Sequence, residues 1–150
     1  MSGAESRVVS ARAEIAAPCA RVFELIADPA AQPLWDGNDN LARAEPGQRV
    51  RRVGEVFTTH LTDGRVRENH VVAFVEGARL AWRPAEPGRE PPGHQWSFDL
   101  EALGPERTAV THTYDWRELT DEGRLPRARA TTPERLLASL ERLRAVAEGR

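Results

Sequence analysis

The chain has 150 residues, 40% apolar and 29% charged, with a formal net charge of −2. That size and balance fit one globular domain around one core, and the near-neutral charge excludes a strong pull towards nucleic acid or an anionic membrane. All 21 basic residues are arginine, which excludes a lysine Schiff base and the lysine of a P-loop.

Residues 1–10 are polar and no long apolar run follows, so neither a signal peptide nor a bilayer span is expected. Over residues 7–16, Val9, Ala11, Ala13 and Ile15 alternate with polar neighbours, which predicts a half-buried strand. Pro18 suits the first position of a helix, and Cys19, Val22, Phe23 and Ile26 follow at i, i+3, i+4 and i+7 as one apolar stripe. Cys19 reads as a buried, inert thiol. A lone cysteine can form no internal disulfide, which fits a reducing, cytoplasmic setting. Asp28-Pro29 ends the helix, a short helix or turn is expected over 29–35, and 35–40 is a loop by composition.

Strands are expected around 41–45, 53–61, 65–75, 79–83, 94–103 and 108–117. Asp63-Gly64 is a hairpin signal, and the Pro- and Gly-rich stretch 84–93 reads as a surface loop. The charged stretch 117–131, with Arg124, Arg127 and Arg129, is either a lid or a solvated connector. Thr132-Pro133 then gives an N-cap and a first-turn proline to a last helix bearing Leu136, Leu140, Leu143 and Ala147. The whole predicts an α+β chain: an antiparallel sheet whose one covered face needs the long final helix, with a cavity between the two.

Parity assigns the walls. If Asp63-Gly64 is a two-residue turn, Thr62 pairs with Arg65, Thr59 with Glu68 and Phe57 with His70. Phe57, Thr59, Leu61, Val66, Glu68, His70, Val72 and Phe74 then share the inner face, and His60 points out. Farther along, Leu80 and Trp82, then His94, Trp96, Phe98 and Leu100, then Val110, His112, Tyr114 and Trp116 are expected inside. Three tryptophans on one wall suit a flat, partly polar ligand, although such rings also simply fill cores.

The chain resembles the START-like, or SRPBCC, superfamily, in particular its polyketide cyclase/dehydrase branch. The matching segments are Ala17-Pro18-Cys19-Ala20-Arg21-Val22-Phe23, Asp28-Pro29 before Trp35, Gly54-Glu55-Val56-Phe57, Arg79-Leu80-Ala81-Trp82, 108–116 and the helix from Thr132. The resemblance implies a helix-grip fold over 1–150: a seven-stranded antiparallel sheet around a long C-terminal helix, with two short helices after the first strand and a deep apolar cavity. It implies binding of lipids, polyketides or other apolar molecules, in some members with cyclase, aromatase or dehydratase activity. Members that use a catalytic lysine find no counterpart here, and the iron–sulfur domain of the large oxygenases has no matching cysteines.

For chemistry, Glu68 and His70 form the candidate catalytic pair: a carboxylate in an apolar pocket is shifted towards neutrality, and an adjacent imidazole moves protons. The alternative is an arginine-paired Glu68 and a structural His70. His112 and Tyr114 are a second candidate pair, as proton donors or as groups orienting a ligand carbonyl. The expected ligand contacts are Trp35, Phe57, Thr59, Trp82, Trp96, His112, Tyr114, Trp116, Leu136 and Leu140. No metal-ligand spacing or phosphate loop is present, so neither metal nor cofactor is expected. The reading is a binder of an apolar or aromatic small molecule, with polyketide-type cyclisation or dehydration as its catalytic form. A non-catalytic carrier or sensor is the alternative, followed by a chaperone-regulator-like interaction module. The protein is expected as a monomer or homodimer, without nucleic acid and without membrane insertion.

Overall fold

The computed structural model describes residues 6–149. The alternating N-terminal stretch forms β1 (Val8–Ile15), and the apolar stripe after it forms α1 (Cys19–Ala27). Pro18 is the N-cap of α1, in an extended conformation at φ −60° and ψ 144°, rather than its first helical residue. Asp28 then accepts the Ala30 N–H and caps a 3-10 turn, Pro29–Ala31, that leads into α2 (Gln32–Trp35). The strands β2 (Leu41–Arg43), β3 (Val56–Leu61), β4 (Val66–Val75), β5 (Arg79–Ala85), β6 (Gln95–Gly104) and β7 (Arg107–Asp115) follow. The stretch expected to be a lid or connector contains a second 3-10 turn and a short helix, α3 (Leu125–Ala130). The long α4 (Pro133–Ala147) closes the chain, with the Thr132 side chain accepting the Arg135 N–H as the N-cap signal requires.

The seven strands form one antiparallel sheet in the order β1-β7-β6-β5-β4-β3-β2. Its inner face receives α4, whose Leu140, Leu143 and Ala147 are buried with Ile15, Val22, Phe23 and Ile26 in the main core. Each fully buried Leu, Ile, Val or Phe side chain among these stabilises the fold by about 1.5–3 kcal/mol relative to exposure. Leu136, one turn earlier, joins a second cluster with Trp116, Leu119, Ala128 and Tyr114, which anchors the 117–131 strap. The later turns of α4 therefore fill the interior, and the first turns roof a hollow.

The β3–β4 register differs from expectation by one residue. Leu61 N–H donates to Arg65 O at 2.8 Å, so three residues rather than two make the turn. Gly64, at φ +90°, supplies the left-handed last position that such a loop demands. His60 thus pairs with Val66, Thr59 with Arg67, Thr58 with Glu68 and Phe57 with Asn69. Because side chains alternate with period two, this slip exchanges the faces of β4. Arg67, Asn69 and Val71 are buried with Phe57 and Thr59 on the inner face. Val66, Glu68 and His70 lie on the outer face, with His60 as expected. An irregularity between Val71 and Ala73 then restores Phe74 to the inner face, where it meets the Phe23 ring, and leaves Val72 exposed.

Candidate functional site

The hollow between the inner face of β3–β7, α2, the strap and the first turns of α4 is a cavity of about 390 Å³, within the range typical of small-molecule sites. Its aromatic wall follows from cross-strand pairing. Trp82 sits opposite Trp96, Trp96 opposite Tyr114 and Phe98 opposite His112. The Phe98 and His112 rings stack at 3.9 Å and 10°, Trp96 and Tyr114 lie 4.4 Å apart, and Trp35 meets Phe98 edge-on at 5.3 Å. Trp35 is fixed by its indole N–H, which donates to Leu25 O at 2.7 Å.

Of the expected ligand contacts, Trp35, Thr59, Trp82, Trp96, His112, Tyr114 and Leu136 line this cavity. Phe57, Trp116 and Leu140 do not. Phe57 packs behind the wall, edge-on to Trp82 at 5.4 Å. Trp116 anchors the strap beneath the Arg7 guanidinium, and Leu140 is absorbed by the main core. Glu68 and His70 do not meet in the cavity either. The Glu68 carboxylate accepts the Gly88 N–H at 2.8 Å and ties down the β5–β6 loop on the outer face. His70 shares that face, which also separates it from His112.

In their place the cavity receives residues that periodicity did not indicate. Asn69 donates to Thr59 Oγ1 at 3.0 Å and to Phe57 O at 3.1 Å. Arg67, Arg124, Arg127 and Arg135 reach the same space, as do Gln32 and Ser139. A three-residue reading of Thr62-Asp63-Gly64 would have found Arg67 and Asn69. The strap arginines were visible as a charged stretch, without a sign of which way they face.

Two neutral imidazoles stand in the wall. Burial pulls His112 down to about 4, partly opposed by its bond to Ser97 O at 3.0 Å. A carbonyl only accepts, so Nδ1 carries the proton and Nε2 is left as an acceptor. His94 is likewise pulled to about 4, first by burial and then by Arg124, Arg67 and Arg127. Burial also pushes the Tyr114 hydroxyl up to about 12, which keeps it a proton donor. Cys19 is only partly buried; its thiol donates to Gly77 O at 3.2 Å, and burial raises its pKa. Among the described residues there is no group of three His, Cys, Asp or Glu side chains placed to share a metal ion.

The histidines make stability depend on pH. Both folded values lie below the ordinary 6.5, so between about pH 6.5 and 4 the unfolded chain binds more protons than the folded one. Their stabilising effect is complete above pH 6.5 and is lost as pH falls towards 4, by about 1.4 kcal/mol per pH unit for each histidine. Urea unfolding across that window is expected to show this slope, and a His94→Gln/His112→Gln double variant to flatten it. An identical slope in that variant would assign the effect to the carboxylates.

Among the described residues, no helix is long and apolar enough to cross a membrane. The uncharacterized protein Rv0088 of Mycobacterium tuberculosis (strain ATCC 25618 / H37Rv) is 30% identical over 112 residues, covering 72% of this chain and 47% of that protein. The chain thus spans about half the length of the curated relatives it matches. The fold is similar to that of MLL2253 from Mesorhizobium loti, with a TM-score of 0.70 at 14% identity over 95% of this chain and 98% of that one. It is also similar to DynU16, a protein of the dynemicin biosynthetic locus, with a TM-score of 0.66 at 20% identity over 97% of this chain and 49% of that one. Residues 6–148 match the family described as polyketide cyclase / dehydrase and lipid transport, and the chain belongs to that family within the START-like (SRPBCC) superfamily.

Proposed function

We propose that the chain binds a flat, largely apolar small molecule in the cavity beneath α4 and acts as its carrier or sensor. The observation that carries this reading is the hollow of about 390 Å³ walled by Trp35, Trp82, Trp96 and Tyr114. Rings of this kind offer a large contact area with one polar handle, at small entropic cost. Family membership supports an apolar ligand, and the outer-face position of Glu68 and His70 lends no support to a cyclase reading built on that pair.

The test is to extract purified protein with organic solvent and identify the released molecule by mass spectrometry. A stoichiometric apolar compound is expected, and rebinding it should quench tryptophan fluorescence. Trp96→Ala should weaken rebinding by roughly 10-fold or more, the loss expected for a buried aromatic anchor. Protein that carries nothing and binds no member of an apolar ligand panel would refute the reading.

A catalytic form of the same reading rests on His112 and Tyr114. A neutral imidazole with Nε2 unprotonated can accept a proton, and a hydroxyl held at about 12 can donate one to an enolate oxygen. If the extracted molecule is chemically altered on incubation, His112→Gln and Tyr114→Phe should each slow that conversion by roughly 100-fold. Conversion unaffected by either change would leave binding alone.

A further inference from the structure

The polar end of the cavity holds positive charge that the chain answers only in part. Arg67 is 6% exposed. Its Nη1 donates to Val66 O at 3.1 Å, whereas its Nη2 is buried without a partner among the described residues. A guanidinium keeps its proton, so a buried one without an acceptor is costly unless something else supplies the acceptor. Burial first, then Arg124, Arg65 and Arg127, hold its pKa below the usual arginine value.

The surrounding acids are engaged elsewhere. The Asp36 carboxylate accepts the backbone N–H groups of Asn38, Asn40 and Leu41. Asp63 is paired with Arg65 at 2.6 Å, and Asp121 with Arg124 at 3.7 Å. Glu86 acts on Arg67 only at long range. A second orphan lies in the same cavity wall. His94 is 6% exposed, and its Nδ1 is buried with no partner among the described residues. Strand β4 and the loop residue just before β6 thus each present an unanswered nitrogen to one hollow, with Arg124 and Arg127 also lining it.

We propose that the ligand is an organic anion: an apolar body against Trp35, Trp82 and Trp96, and a carboxylate or phosphate-monoester head forked onto Arg67 with Arg124 beside it. This rests on the small-molecule reading above and narrows it. The planar guanidinium matches two oxygens of such a head at once, which a neutral ligand does not offer. The aromatic wall has no comparable demand for charge, so discrimination between acid and neutral analogue falls to the arginines.

Three matched probes separate the possibilities: 2-naphthoic acid, 2-naphthyl phosphate and 2-naphthamide, titrated by calorimetry and tryptophan fluorescence. At least one anion is expected to bind roughly 10- to 100-fold tighter than the amide, as hydrogen bonds to a charged group imply. Arg67→Met should erase that preference and leave amide affinity within about 2-fold. Arg124→Met, at a partly exposed position, should reduce the preference by several-fold and serves if Arg67→Met does not fold. Equal affinity for acid and amide in the parent protein, or a preference that survives both substitutions, would overturn the anion inference and leave the apolar cavity reading intact. If none of the three binds, the anion inference is overturned, and the apolar-cavity reading is decided by the extraction and the apolar ligand panel.

Discussion

Phe98→Ala is expected to cost about 3–5 kcal/mol of folding stability, the range for a buried aromatic truncated in a packed core. For a chain of this length that is a fall in Tm on the order of 10 °C. Phe98 is fully buried at the middle of the aromatic wall. It stacks on His112, lies nearly parallel to Trp82 at 5.8 Å and receives the edge of Trp35 at 5.3 Å. The cost should sit high in the range because these neighbours cannot close over the gap. Trp35 is held by Leu25 O, His112 is held by Ser97 O, and Trp82 is fixed in the β5 ladder. The lost ring would also merge with the adjoining cavity instead of being refilled. Urea unfolding followed by circular dichroism gives the measurement, with Leu137→Ala, at an exposed α4 position, as a comparison expected within about 0.5 kcal/mol of the parent. A loss below about 1 kcal/mol for Phe98→Ala would mean that the wall repacks freely.

The wall was readable from the sequence where alternation had an apolar signal to anchor it. On β5, β6 and β7 the inward positions are Leu80, Trp82, Trp96, Phe98, Val110, His112 and Tyr114, and a one-residue slip would have placed Arg79, Asp99 and Thr111 inside instead. On β4 both faces of the first half are polar: Arg67 and Asn69 against Glu68 and His70. Hydrophobicity could not arbitrate there, so the face depended on the turn, and Asp63-Gly64 is compatible with either a two- or a three-residue loop. That single ambiguity moved the candidate catalytic pair to the outer face and hid Arg67. The strap was opaque for a different reason. Helix α3 spans only Leu125–Ala130 and buries Ala128 alone, so it leaves almost no periodic trace. Trp116 and Leu140 have the right parity and the right helical stripe, but parity places a residue on a face without saying whether that stretch of the face meets cavity or core.

Gly37→Ala is the second large effect, about 1–3 kcal/mol from overpacking, and it should damage the cavity together with the fold. A Cβ at Gly37 would lie 2.4 Å from Ala138 C, 2.5 Å from Ala138 O and 2.7 Å from Ser139 N. All three are backbone atoms of α4, which cannot swing aside as a side-chain tip can. The loop itself is stiff, because Asp36 gathers three of its backbone N–H groups. Relief must therefore come from separating the loop and α4. That separation would stretch the Gly37 N–H bond to Ser139 Oγ at 3.0 Å and the Asn38 Nδ2 bond to Arg135 O at 2.9 Å. Ser139, Asn38 and Arg135 all border the cavity, so the gap opens at the ligand site. A lower Tm and weaker naphthoate or naphthamide binding are expected together. Gly88→Ala separates this cause from glycine's backbone freedom: Gly88 has φ +76° but no atom near its would-be Cβ, so it should cost only the left-handed penalty of about 1–2 kcal/mol and leave binding unchanged. Equal binding losses in both variants would refute the close-approach account, since only Gly37 lies against the helix that roofs the ligand.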